Sequence, residues 1–423
     1  MSMFPTGWQV EPLSEVCNEI VDCLNKTATV VDGPTPYKMI RTTNVKDGRV
    51  NLEETRFVDE VVYRKWTRRF KPRRGDVILT REAPLGEVGL LRSDEQVFLG
   101  QRTMAYRANP EKLDQRFLYY SLLGPTLQAQ IRMYGAGSTV EHMRVPQAES
   151  LQIPFPEVAT QQKIAAILSA YDDLIANNQR RITLLERMAE DIYREWFVRL
   201  RFPGHQQVKI EKGVPQGWEV IELGKVCAAL KRGVAPNYSE TQAALVINQR
   251  CIRDGFVDLA EARGHDTKVP AEKFVRYGDV LINSTGVGTL GRVAVFDHEV
   301  SNATCDTHVT ICRAKSEAVD IYFLGYALRS LQSHFESMAV GSTGQSELGR
   351  DAISRTTILR PPMTTQMNFA SAVEPLLRKK RLLRRQTEAL ATTRDALLPR
   401  LISGKLTVDG LDIRFPPGMS ATD

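Results

Sequence analysis

Cysteine is scarce and scattered: Cys17, Cys23, Cys227, Cys251, Cys305 and Cys312 are the six in 423 residues, and no Cys-x-x-Cys pair occurs. This excludes a disulfide-stapled scaffold and a paired-cysteine zinc ribbon, and points to reduced thiols. No apolar run approaches the roughly 18 residues of a membrane helix. The opening MSMFPTGWQVEPLSEV lacks a basic and apolar leader pattern, so a cytoplasmic chain without membrane contact is expected. Signatures of catalysis are missing as well. The sequence contains no Asn/Asp-Pro-Pro-Tyr/Phe for amino methylation of a base, no glycine-rich phosphate loop ending in Lys-Ser/Thr, and no convincing Asp with a nearby Asp/Glu-x-Lys of a nuclease. No catalytic residue, bound metal or bound cofactor is expected on this chain. Charge of one sign does not dominate either: net charge is +6 with a pI near 8.9, a mild hint of polyanion binding.

A long-period apolar pattern takes the place of catalytic motifs. Ile164, Leu168, Tyr171, Ile175, Asn178, Ile182, Leu185, Ala189, Ile192 and Trp196 alternate at steps of four and three, the seam of a coiled-coil helix. A helix of about 33 residues at roughly 1.5 Å each reaches about 50 Å, more than one compact domain requires. A second ladder follows in Phe369, Leu376, Leu383, Leu390 and Leu397. Val373, Lys380, Thr387, Arg394 and Leu401 fill its other seam position, apolar at the ends and polar in the middle. Pro375 is expected to kink or begin this helix and Pro399 to bend its end.

The rest of the chain reads as one unit written twice. Gly7-Trp8 through Val16-Cys17 matches Gly217-Trp218 through Val226-Cys227, with Leu13 on Leu223. Ile40 to Val50 matches Ile247 to Val257, Gly75-Asp76-Val77 matches Gly278-Asp279-Val280, and Leu85-Gly86 matches Leu290-Gly291. Arg107-Ala108, Phe117-Leu118 and Gly137-Ser138-Thr139 find Arg313-Ala314, Phe323-Leu324 and Gly341-Ser342-Thr343. Each copy closes on a proline-bearing strand and a Thr-Gln pair, Thr160-Gln161 or Thr365-Gln366, before its long helix. The matches never scramble in order, which argues for duplication.

Short β-branched runs with one helical patch per half predict an α+β protein. Two duplicated globular domains, residues 1–157 and 201–362, are expected, separated by helices over 158–200 and 363–404 that run antiparallel. Arg201-Phe202-Pro203-Gly204 recurs as Arg414-Phe415-Pro416-Pro417-Gly418. A tail over 405–423 is therefore expected to meet the first domain near Trp8 and close a pseudo-two-fold cyclic arrangement.

Candidate binding residues are polar and basic. From Tyr63 to Arg74, Arg64, Lys65, Arg68, Arg69, Lys71, Arg73 and Arg74 interleave with Tyr63, Trp66 and Phe70, a composition suited to a phosphate track or to a solvated loop. Arg41, Thr42 and Asn44, and Asn248, Gln249 and Arg250, are types that pair with base edges or shape turns. Beyond the Gly-Asp-Val strands come Thr80-Arg81-Glu82 and Asn283-Ser284-Thr285, and farther on Arg102 and His308 at equivalent places. The Gly-Ser-Thr loops offer Ser138, Thr139 and His142 in one half, and Ser342, Thr343 and Gln345 in the other. Cys305, His308 and Cys312 resemble a zinc set only loosely, because a strand points His308 away from Cys305. The run Arg378-Lys379-Lys380-Arg381, with Arg384 and Arg385, reads as a solvated helix face.

Two Gly-Trp starts, two Gly-Asp-Val strands, and the Gly-Ser-Thr loops running into Ile153-Pro154-Phe155-Pro156 and Gln161-Gln162-Lys163-Ile164, together with Glu195-Trp196-Phe197 and Leu401-Ile402-Ser403-Gly404-Lys405, give the chain a familiar order. It resembles the specificity subunit of type I restriction-modification systems over essentially its whole length. The resemblance implies two target-recognition domains, each reading half of a split site on double-stranded DNA, and helical spacers that fix the gap. It implies two methylation subunits and motor-nuclease subunits as partners, which would carry S-adenosylmethionine, ATP and Mg2+. A subunit of an orphan or altered modification system, an enzyme acting alone, and a coiled-coil scaffold that binds no DNA are the alternatives.

Overall fold

The structure, a computed structural model, describes residues 4–135, 141–239, 244–266, 268–338 and 347–415. The chain divides into two compact units, residues 1–177 with 386–423, and residues 178–385.

In the first unit a six-stranded sheet takes the order Cys17–Asp22, Thr103–Ala108, Val77–Arg81, Leu85–Leu90, Gly48–Val50, Val45–Lys46. A three-stranded sheet of Arg56–Phe57, Tyr37–Ile40 and Gln96–Leu99 lies apart from it in pairing. The central strand Val77–Arg81 is apolar on both faces, and strand periodicity divides its side chains. Val77 and Leu79 enter a core backed by the helices Gln115–Leu123 and Pro125–Gly135. Ile78 enters another with Ile40, Phe70 and Leu99. The second unit repeats this division: Val280 and Ile282 face one core and Leu281 the other. Its principal sheet has four strands, Cys227–Arg232, Val309–Ala314, Val280–Asn283 and Val293–Val295.

Physical roles account for the residues shared by the two copies. Asp76 receives Arg107 side on, Nε to Oδ1 at 2.8 Å and Nη2 to Oδ2 at 2.9 Å, and Asp279 receives Arg313 the same way at 2.9 and 2.6 Å. Both carboxylates are buried and also accept a backbone N–H from the preceding turn, so each Gly-Asp-Val and Arg-Ala pair is a clamp across strands. Buried Gln161 accepts from the Asp114 N–H at 2.7 Å, and buried Gln366 accepts from the Asp320 N–H at 2.8 Å. Each fastens the start of a long helix to the helical patch before it. The opening strand Gln9–Pro12 pairs antiparallel with Gln152–Phe155, and Glu219–Glu222 pairs with Thr357–Arg360, so each copy's first and last strands are neighbours.

The first long helix runs Val158–Tyr193 and continues as a π-helical turn over Arg194–Val198. The second runs unbroken from Met363 to Leu401. The expected start at Pro375 is not observed, and the helix passes Pro399 too. Phe369, Val373 and Leu377 are buried on both sides of Pro375. Their burial offsets the roughly 3 kcal/mol that an interior proline costs. Within the second unit Trp196 meets Phe369 and Glu186 meets Lys380, an antiparallel course. Ile164, Leu168 and Ile175 are buried as seam residues, Leu383 likewise, while Tyr171, Ile182, Leu185, Ile192, Leu376, Leu390 and Leu397 are half-buried.

The basic run of the second helix is only in part the solvated face expected from sequence: Arg378, Lys379 and Arg385 are exposed, and Lys380, Arg381 and Arg384 are not. Lys380 is 5% exposed and lies 2.9 Å from both Glu186 and Asp297, and Arg384 lies 2.9 Å from Asp297. Arg381 donates to the Tyr277 hydroxyl at 2.5 Å, and Arg385 pairs with Glu299. These cations tie the helix to its own domain. Heptad spacing could not show this, because Asp297 and Glu299 sit about 80 residues away on a loop after a strand and Glu186 lies on the other long helix.

After the second helix, Leu406, Ile413 and Phe415 pack on the first unit's core with Trp8. At Gly404, φ is +71°, and a Cβ there would come within 2.6 Å of Pro5 and 2.9 Å of Trp8, so glycine is required. In the second unit Phe202 covers Trp218 with ring centres 4.9 Å apart.

Candidate nucleic-acid interface

In each unit three strands end together, and the residues at and just beyond those ends form a polar cluster. In the first unit Asp22 closes its strand and accepts from Arg69 Nη2 at 2.7 Å, with Arg81 Nη2 at 3.6 Å. The next residue, Glu82, holds Arg102 Nε at 3.2 Å through one oxygen and faces His142 Nδ1 at 3.3 Å through the other. Arg102 takes φ +68° at the turn before Thr103, a strained setting that aims its half-exposed guanidinium outward. Glu82 and His142 also share a β-bridge.

The second unit builds the same frame from other side chains. Arg232 stands where Asp22 stood and pairs with Glu347 at 2.6 Å. Thr285 replaces Glu82: its hydroxyl lies 2.7 Å from His308 Nδ1 and accepts from Gln249 Nε2 at 2.8 Å. Thr285 and Glu347 share the matching bridge. At equivalent positions the pairs are therefore Asp22/Arg232, Arg81/Ser284, Glu82/Thr285, Arg102/His308 and His142/Glu347. Charge reverses or disappears at most of them, and the backbone does not change its plan.

The structure brings Arg69, Arg81, Arg102 and His142 together, and Gln249, Thr285 and His308 together. Other sequence candidates turn inward. Asn44 is 2% exposed, accepts from the Arg41 N–H at 2.9 Å and donates to the Glu54 carbonyl at 3.2 Å, so its amide is consumed by a turn. Arg41 reaches the same carbonyl, and Thr42 lies in that turn, Thr42–Asn44. The Asn248 amide is likewise engaged with Arg250 N and Glu261 O, leaving Arg250 exposed. Asn283 and Ser284 are fully buried, Ser284 against the Thr310 hydroxyl at 2.6 Å. These short polar residues shape turns and strands, and Asn44, Asn283 and Ser284 do not face solvent. Ser138, Thr139, Ser342, Thr343 and Gln345 lie outside the described residues.

Asp22, Arg232 and Glu347 were not singled out from sequence. The signal that could have found them is the charge reversal between copies at matched positions.

The basic track is one-sided. A helix over Glu60–Trp66, capped by Asp59, turns Tyr63 inward onto Tyr37 at 4.6 Å and Trp66 onto Phe98 at 6.3 Å. Phe70 lies under the Arg107 guanidinium at 4.7 Å. Its cations are left outside: Arg69 and Arg74 reach Asp22 and Asp94, while Lys65, Arg68, Lys71 and Arg73 are exposed with no carboxylate partner among the described residues. In the second unit Lys273 turns inward onto the Gly233 carbonyl at 3.1 Å, so the track is not duplicated. Cys305 and Cys312 are buried, His308 is exposed, and no group of three or more potential metal ligands occurs among the described residues.

Comparison with known proteins gives the same division. The profile of the type I restriction modification DNA specificity domain matches residues 5–187 and again 215–392. The MjaIX specificity subunit of a type I restriction enzyme from Methanocaldococcus jannaschii is 26% identical over 355 residues, 80% of this chain and 79% of that protein. The putative MjaX specificity subunit from the same organism is 23% identical over 96% of this chain and 95% of that protein. The crystal structure of a type I restriction-modification S subunit from M. genitalium shares the fold, with a TM-score of 0.58 at 18% identity, over 93% of this chain and 96% of that one. The chain belongs to the type I restriction-modification DNA specificity family, with one copy of the family's domain in each half.

Proposed function

We propose that this chain is the non-catalytic sequence-reading subunit of a type I restriction-modification complex, and that each unit reads one half of a bipartite, asymmetric site on double-stranded DNA. The observation that carries this reading is the matched pair of clusters. A shared frame ends in Asp22, Arg81, Glu82, Arg102 and His142 in one copy, and in Arg232, Thr285, His308 and Glu347 in the other. Arg, His, Gln and carboxylate side chains discriminate base edges by donor and acceptor pattern, so unlike clusters select unlike half-sites. The exposed cations Lys65, Arg68, Lys71 and Arg73 supply contacts to phosphate, which position the complex without reading sequence. Chemistry belongs to partners in this reading: two methylation subunits with S-adenosylmethionine, and motor-nuclease subunits with ATP and Mg2+. The two long helices act as spacers and as a scaffold for those subunits.

The test is a reconstituted complex with its methylation subunits, mapped for methylated motif. Arg102→Ala relaxes or abolishes recognition of one half-site and leaves the other intact, and His308→Ala does the reverse. Loss of both half-sites in either variant, with the fold preserved, contradicts the assignment.

A further inference from the structure

We propose that Val287 reads the 5-methyl group of a thymine in the half-site bound by the second unit. This rests on the half-site reading above and names one of its contacts. Val287 is 98% exposed, on the loop after Thr285. The loop is an ordered turn: the Gly286 carbonyl accepts from Thr289 N at 3.2 Å and from Leu290 N at 3.0 Å, and Gly288 takes φ +72°. Arg292 Nη2 holds the Gly288 carbonyl at 2.9 Å, and buried Asn283 donates to the Thr289 carbonyl at 3.1 Å. A branched apolar side chain is thus presented to water on a braced backbone, where it stabilises nothing within the fold.

Its surroundings identify the ligand. Thr285, Gln249 and His308 stand beside the loop, and a Cβ at Gly286 would come within 2.7 Å of Gln249 Oε1. Polar side chains around one apolar tip match the edge of an A·T pair in the major groove, where a methyl group lies next to hydrogen-bonding atoms. Valine is not among the usual wedges between base steps, which are Phe, Leu, Ile, Met and Pro. The first unit has a shorter loop here, Ala83-Pro84 between Glu82 and Leu85, so the contact belongs to one half-site alone.

The test uses the complex of full chain and methylation subunits, with duplexes carrying its mapped target and deoxyuridine in place of single thymines. Deoxyuridine removes the methyl group and keeps pairing. Wild type loses about fourfold in affinity at one thymine of the second half-site, the worth of roughly one buried methyl group. V287A binds the unmodified site about fourfold more weakly and is indifferent to that replacement, with an unchanged melting temperature. Equal deoxyuridine penalties in both proteins, or none in either, overturn the proposal while the half-site reading stands. A wild-type complex that shows no sequence preference at all overturns both.

Discussion

Glu82 and Thr285 occupy one backbone position and gather different partners: the carboxylate draws Arg102 and His142 by charge, and the hydroxyl hydrogen-bonds Gln249 and His308. In the proposed reading single residues set what each unit reads, and single substitutions then separate reading from gripping. Lys65→Ala, Arg68→Ala and Lys71→Ala each weaken DNA binding alike on all sequences, and each reduces the slope of log affinity against log salt by about 1. Titration at several salt concentrations checks this, and a loss confined to the cognate site contradicts it. At this scale the duplicated order already pointed to Arg81, Arg102, His142, Gln249, Thr285 and His308. Asp22 and Glu347 escaped notice for a physical reason: a carboxylate opposes phosphate, and in the proposed reading its value lies in orienting a neighbouring cation or accepting an amine. Asn44 and Asn283 misled because the same amide that pairs with a base also closes a turn.

Elements are held by buried polar fastenings. Burial alone pushes the Asp297 carboxyl up, but Lys380 and Arg384 outweigh it and hold the group well below the usual carboxylate range. Glu186 is lowered in the same way against Lys380 and Arg329. A depressed carboxyl contributes stability above its unfolded pKa, about 4, and that stability is lost as pH falls toward the folded value. The second unit therefore weakens below about pH 4. Asp297→Asn removes much of this acid sensitivity and costs about 3 kcal/mol at neutral pH, because it leaves buried cations short of a partner. Urea unfolding at pH 7 and pH 3.5 measures both, and an unaltered acid response in the variant contradicts the role given to Asp297. Gln161→Leu strands the buried N–H of Asp114 and the carbonyls of Lys112 and Pro156, so about 2 kcal/mol is lost from the first unit. Both long helices were legible as heptads, yet Lys380 and Arg394 at seam positions looked like interruptions. They are the residues that answer Glu186 and Asp172, at 2.9 and 2.7 Å, and periodicity carries no information on such distant partners.

The whole molecule is one design used twice, joined by continuous helices of 36 and 39 residues that each contribute to both units. Duplication was the most legible feature of the sequence because clamps such as Asp76–Arg107 and Asp279–Arg313 require particular residue types, and selection on such a clamp keeps both copies alike. If the helices are spacers, four residues inserted after Asn178, with a compensating insertion in the second helix, lengthen the unread gap by about 6 Å, close to two base pairs. Both half-sites remain the same, and an unchanged gap in a variant that still directs methylation contradicts the spacer role. The central claim, that two unlike readers share one frame, is tested most directly by sequencing methylated DNA from cells expressing the intact system. The account predicts two different short half-sites separated by a fixed stretch of arbitrary bases; a continuous palindrome contradicts it.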